Sequence, residues 1–247
     1  MDTTREQHIV QALVDIVDNL VDHFDVVELL TNLADRCVNV LGVSAAGVML
    51  ESPPDELRLV ASSSEAMQVV EMFELQANEG PCLDAFRTGE RVGHEKLQSG
   101  SGPWPQFSKV ALASGFRSVS ALPLRLRDAT IGALNLFSVE ELPMDERDVL
   151  VARAFADLAT ISILQHGTVN EGQQLNEQLA GALASRIVIE QAKGVIAERT
   201  GIEVAEAFSR LRNYARSRSM LLTDIAQAAI DGTLEPVAWA SPTSIDP

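Results

Sequence analysis

Residues 185–201 read SRIVIEQAKGVIAERTG, and this pattern decides how the last third of the chain folds. On a wheel of about 100° per residue, Val188, Ile189, Ala192, Val195 and Ile196 share one face. Arg186 and Lys193 fall together just beside it, two turns or roughly 10 Å apart along the axis. Gly194 costs such a helix about 1 kcal/mol relative to alanine and calls for a reason, of which close approach of a neighbouring helix is one. Glu190 lies four residues after Arg186 and three before Lys193, so pairing with it is an alternative use for both cations.

Outward from that stretch the punctuation gives three helices, 173–199, 203–218 and 222–230. Gly201 ends the first, Glu203 and Glu206 favour the first turn of the second, and Thr223 or Asp224 opens the third. Phe208, Leu211, Tyr214, Ala215, Leu222, Ile225 and Ala229 are available for the core of this small bundle. So small a core is marginal alone, and dimerisation or docking would help it. On the second helix Arg212 and Arg216 are four apart and share a face with Ser209 and Asn213. Such a face offers hydrogen-bond donors to phosphate oxygens and base acceptors, because guanidinium presents planar paired donors. A merely solvated arginine face is the alternative, and spacing alone leaves both open.

The charge distribution separates this segment from the rest. The 247 residues carry a net charge of −16, which argues against nonspecific coating of nucleic acid. Residues 1–172 hold 12 basic and 26 acidic side chains, whereas residues 173–222 hold 7 and 5, a balance of −14 against +2. From Phe208 to Leu222 there are four arginines and no acid. An acidic body with a locally basic tail implies two functional units, one of which meets an anion. Only Cys37 and Cys82 occur, with no CxxC, so neither a disulfide framework nor a metal site of familiar spacing is expected, and no cofactor is called for. No apolar run reaches membrane-spanning length and MDTTREQH lacks a signal-peptide layout, so a cytoplasmic protein without membrane partners is expected.

The acidic body reads as α+β. Residues 1–25 form an N-terminal amphipathic helix, with Ile9, Leu13, Ile16 and Leu20 at 4-3-4 spacing; it packs on its own domain or forms a dimer seam. A second helix over Val26–Leu41 stops at Gly42. Strands are expected at 45–50 and 57–62 around SPPDE, and at 118–126 and 130–137 around Arg127 and Asp128, which favours an antiparallel sheet. A short helix over 66–73 follows the first pair, and the region 78–115 is long enough to hold short helices, a strand near 91–95 and a pocket. From Asp145 a helix carries Val149, Ala152, Phe155, Ala156, Ala159 and Ile163 toward the sheet. The domains expected are thus 26–167, a helical linker at 168–174, a bundle at 175–235 and a flexible tail at 236–247.

SRIVIEQAKGVIAERTG, followed by AFSRLRNYARSRS and LLTDIA, resembles the ANTAR domain, the three-helix RNA-binding module of bacterial antitermination regulators. The resemblance spans roughly residues 173–235. It implies that a dimer binds tandem RNA stem-loops and that transcription then passes a terminator. Matching positions on the RNA-facing surface are Lys193, Arg212, Arg216 and Thr223, with Arg186 and Tyr214 as further candidates. Ser219 and Leu221 stand where family members often carry asparagine and a basic residue. Residues 26–166 resemble a GAF domain, chiefly through NEGPCLDAFRTGE, the segment found in GAF domains fused to ANTAR modules. The resemblance implies a GAF-like antiparallel sheet with flanking helices, an unidentified small-molecule or redox signal, and a homodimeric sensor controlling the ANTAR output.

Other classes are set against this reading. Three short helices with arginines also suit a DNA-binding helix-turn-helix regulator, and the arginine face suits docking of an acidic protein. Cys82 with His94 as base would make an enzyme, but no activating neighbour is visible in sequence, and a buried core cysteine is the plainer reading. Cys82, His94, Trp104 and Phe107 are the candidates for lining a ligand pocket.

Overall fold

The structure is a computed structural model and describes residues 3–18, 25–52, 56–100, 102–127, 129–141, 143–165, 173–218 and 220–234. The expected linker at 168–174 falls almost entirely outside the described residues, as do the tail at 236–247 and the last turn expected of the N-terminal helix. The chain divides into two compact units, Met1–Asp22 with Leu29–Ala180, and His23–Glu28 with Gly181–Pro247.

In the first unit the helices α1 (Thr3–Asp18) and α2 (Val26–Leu41, of which the first three residues count with the second unit) precede a hairpin of β1 (Ala45–Ser52) and β2 (Glu56–Ser62). Then come α3 (Glu65–Ala77), α4 (Pro81–Thr88), β3 (Val92–His94) and α5 (Pro105–Ala113), followed by β4 (Ser118–Leu126), β5 (Ala129–Ser138) and α6 (Glu146–Gln165). The sheet order is β2-β1-β5-β4-β3, every pair antiparallel. β5 lies between β1 and β4, with Asn135 opposite both Gly47 and Ala121. Alternation along β5 puts Ala133, Asn135 and Phe137 on one face of the sheet, all three fully buried.

That face is covered by the helices α3 to α5. One cluster joins Met67 and Val70 to Trp104, Phe107, Phe116 and Phe137, and a second joins Met49 and Leu59 to Cys82, Leu83 and Ala133. α3 runs four residues beyond the end its periodicity predicts, because its ends are capped. The Ser64 hydroxyl accepts from the Met67 amide at 3.2 Å, and Asn78 takes the left-handed conformation (φ 52°) that closes the helix. On α6, Ala152, Phe155, Ala156, Ala159 and Ile163 are buried as their spacing predicts, while Val149, expected with them, is only half-buried.

The second unit holds α7 (Gln173–Thr200) from Gly181 onward, α8 (Val204–Ser217) and α9 (Leu222–Ile230). Its core is Ile189, Ala192 and Ile196 of α7, Ala207, Leu211 and Ala215 of α8, and Leu222, Ile225, Ala226 and Ala229 of α9. Small alanines fill the centre, so Phe208 and Tyr214, expected in the core, are only half-buried at its edge. Gly194 likewise departs from expectation. It is exposed, and a Cβ built there meets nothing within 4 Å, so helix packing is not its reason.

Candidate nucleic-acid interface and sensor interior

On α8 the row Phe208, Arg212, Arg216 advances by four residues along one flank of the buried stripe Ala207, Leu211, Ala215. Lys193 of α7 reaches the same flank. Its ammonium stands 5.4 Å from the centre of the Phe208 ring, and the Arg212 guanidinium 5.9 Å from it. Two cations thus stand within 6 Å of one ring centre, a contact worth about 0.5–1 kcal/mol each at a surface. Lys193 also donates to both carboxylate oxygens of Glu190, at 3.0 and 2.8 Å, which realises the pairing that sequence spacing allowed. The open backbone of Gly194 lies next in the chain.

The remaining candidates are distributed around this centre. Within the second unit Arg216 donates to Glu28 at 2.8 Å and the Thr223 hydroxyl donates to Asp25. Arg186 is half-buried on α7. Tyr214 belongs to the opposite flank of α8, where the Arg218 guanidinium stacks 3.7 Å from its ring centre. Arg210, on that flank too, is paired with Glu206. The structure therefore brings together Lys193, Phe208 and Arg212, with Arg216 next in the row, and separates Tyr214 from them.

In the first unit, of the four residues expected around a pocket, His94 stands edge-on to Trp104 and Trp104 edge-on to Phe107, each pair with ring centres 6.1 Å apart. Cys82, Trp104 and Phe107 are buried in the core clusters. His94 lines a cavity of about 480 Å³ together with Arg91, Ser118, Ser120, Ser138 and Asp145. Trp104 donates its indole N–H to Asp84 at 2.7 Å. Cys82 is fully buried, and burial pushes its thiol pKa well above the ordinary value, with Glu74 and Glu71 adding to the effect. A nucleophile needs the opposite shift, so this thiol is not activated.

Sequence reasoning missed two residues here, Glu71 and Glu74, both fully buried on α3. Glu74 Oε1 accepts from the amides of Cys82 at 2.7 Å and Leu83 at 3.3 Å, capping α4 from the side. Asn135 Nδ2 donates to Glu71 Oε1 and Glu74 Oε2, each at 3.4 Å. Burial raises the Glu74 pKa to about 8, against the lowering effect of those amides. No sequence signal marked them: α3 turns Met67, Val70, Glu71 and Glu74 inward while Val69 and Met72 are more than half exposed, the reverse of ordinary amphipathicity.

No helix among the described residues is long and apolar enough to cross a membrane. Nor does any group of three or more His, Cys, Asp or Glu among them suit a metal ion.

The comparisons with known proteins follow this division of the chain. A GAF domain model matches residues 25–163 and an ANTAR domain model residues 177–230. Among solved structures, the GAF domain of a phosphoenolpyruvate-protein phosphotransferase from Coxiella burnetii is similar with a TM-score of 0.50 at 15% identity, covering 64% of this chain and 94% of that one. The GAF domain of the corresponding Acinetobacter protein has a TM-score of 0.49 at 16% identity, covering 70% of this chain and all of that one. At such identities the likeness speaks for the fold alone. No curated protein matches the sequence. The chain belongs to the GAF domain family, carries an ANTAR domain after its GAF domain, and is by that composition a signal-sensing regulatory protein rather than an enzyme.

Proposed function

We propose that this protein is a cytoplasmic antitermination regulator whose ANTAR domain binds RNA stem-loops as a homodimer under control of the GAF sensor. The observation that carries the reading is the flank of α7 and α8. There Lys193 and Arg212 stand 5.4 and 5.9 Å from the centre of the Phe208 ring, Arg216 continues the row, and the backbone at Gly194, next to Lys193 in the chain, is open. Cations beside an aromatic ring match the phosphates and splayed bases of an RNA loop, which a closed duplex does not present. The acids now bonded to these side chains, Glu190, Glu28 and Asp25, hold the places that phosphate oxygens would take. Thr223 at the first turn of α9 would add a directional bond, and Arg186 and Tyr214 would mark the outer limits of the contact.

Two copies would space two such flanks to fit tandem hairpins, and α1, with Val10 and Val14 exposed, offers a seam for pairing. A fluorescence titration of the full chain against tandem RNA hairpins, with duplex DNA of the same sequence as competitor, tests this. Retention of RNA against excess duplex is expected. Preference for the duplex would replace this reading with a helix-turn-helix regulator.

A further inference from the structure

The face of the GAF sheet opposite α3 to α5 changes character along its length. On β4 and β5 it carries Leu122, Leu124, Leu134 and Leu136, all buried, and then Ser118, Ser120 and Ser138 toward the end from which the chain leads into α6. The register sets Ser118 against Ser138, and Ser120 between Leu136 and Gly93 of β3. Ser118 and Ser120 are more than nine-tenths buried. Hydroxyls and a glycine thus stand where leucines stand farther along, and the floor is hollow. The cavity of about 480 Å³ lies over it, with Arg91 beside the edge strand β3 and Asp145 and Asp148 at the start of α6 among its walls. A volume of this size takes a small metabolite.

Several donors here lack an acceptor among the described residues. Arg91 Nε donates to Ser120 Oγ at 2.9 Å, which leaves both terminal nitrogens of the guanidinium and the Ser120 hydroxyl proton without one. The Ser138 hydroxyl accepts from the Glu140 amide at 3.2 Å, and its proton is likewise unused. Ser118, by contrast, donates to the Glu140 carbonyl at 2.8 Å. A guanidinium edge with two hydroxyl protons suits a carboxylate. The same cavity is lined by acids. Asp148 is paired with Arg5, and Asp145 Oδ1 accepts from the Arg147 amide at 3.2 Å, but Asp145 Oδ2 and the Glu140 carboxylate receive no donor from the described residues. A simple anion would face these carboxylates with one guanidinium to hold it. A simple cation would leave the Arg91 and serine donors unmet, whereas a molecule carrying both charges meets both sets.

We propose that this cavity binds a small zwitterion of the α-amino acid class, its carboxylate held by Arg91, Ser120 and Ser138 and its ammonium by Asp145 and Glu140. The site lies across the sheet from the clusters that hold Cys82, Trp104 and Phe107, and is separate from them. A ligand held in this way ties the edge strand β3 to the start of α6. The inference deepens the sensor reading by giving the signal a chemical class, and rests on that reading only for transmission to the output.

The test uses the full chain without RNA, so failure to bind RNA leaves its result unchanged. Thermal unfolding is followed with each of the common L-amino acids, with the amine and the carboxylic acid matched to each amino acid that acts, with glucose and with inorganic phosphate. At least one amino acid should raise the melting temperature, by about 5 °C or more at a hundredfold excess over its Kd, and its matched amine or acid should not. Arg91→Ala, at an exposed position, should weaken that amino acid about tenfold or more in a calorimetric titration. Should loss of the bond to Ser120 keep Arg91→Ala from folding, Ser138→Ala should weaken it in the same direction. Stabilisation by no amino acid, equal stabilisation by glucose, phosphate, the matched amine or the matched acid, or unaltered affinity in the folded variant, would overturn the inference.

Discussion

The GAF interior and the flank of the ANTAR bundle solve opposite charge problems. At the first, Glu71 and Glu74 are fully buried around one amide, that of Asn135. At the second, cations are partly buried at the rim of the bundle, Lys193 with 14% of its side chain exposed, each beside an aromatic ring or an acid. Burial makes the first arrangement sensitive to a single proton, since the charged form has no solvent to stabilise it. The half-exposed acid makes the second exchangeable, because Glu190 can turn to water and leave the Lys193 ammonium to an incoming anion. A reversible binding surface needs the latter property.

The largest test of this contrast is pH. Burial raises Glu74 from 4.5 to about 8, so the folded state holds the proton more tightly than the unfolded state does. The stability it contributes is complete below pH 4.5 and is lost as pH rises through about 8. The loss amounts to at most about 5 kcal/mol on the scale of 1.4 kcal/mol per unit. Chemical denaturation of the full chain from pH 5 to 9 reads it, and Glu74→Gln should abolish most of the slope. At the other region, Lys193→Ala with Arg212→Ala should cost RNA binding on the order of 3 kcal/mol, about a hundredfold, from two charge-assisted contacts. The same double change should move stability by only about 1 kcal/mol, and the salt dependence of binding should flatten by about one to two units of slope. Smallest is Glu206→Gln, which breaks the exposed pair with Arg210 on the far flank of α8. A shift of about 0.3–0.5 kcal/mol in stability and unchanged RNA affinity are expected.

The two regions were unequally legible in the sequence. The placement of the cations was legible through spacing, because Arg212 and Arg216 at four residues and Lys193 beside an apolar stripe fix their flanks from helix geometry alone, while the use of that face was left open between contact and solvation. Antiparallel pairing followed from turn-length connections, and the five-stranded order adds β3 at the edge near where an extra strand was expected. Phe208 and Tyr214 were assigned to the core because aromatic burial was assumed; the structure fills that space with Ala207, Ala226 and Ala229. The sensor interior was illegible for a different reason. In a chain with 35 acidic residues, Glu71 and Glu74 look like any solvated pair, and only the packing of α3 against β5 shows that they point inward.

Gly194 joins the comparison to the central claim, since an exposed glycine within a helix weakens the fold and gains nothing from internal packing. The measurement is Gly194→Ala in the full chain, with unfolding free energy and affinity for a tandem RNA hairpin determined on the same sample. If RNA approaches this flank, stability should rise by up to about 1 kcal/mol while affinity falls, because the added methyl group stands where the RNA backbone must come. A protein more stable by that amount with undiminished RNA affinity would contradict the assignment of the Lys193–Arg212 flank as the RNA-binding surface.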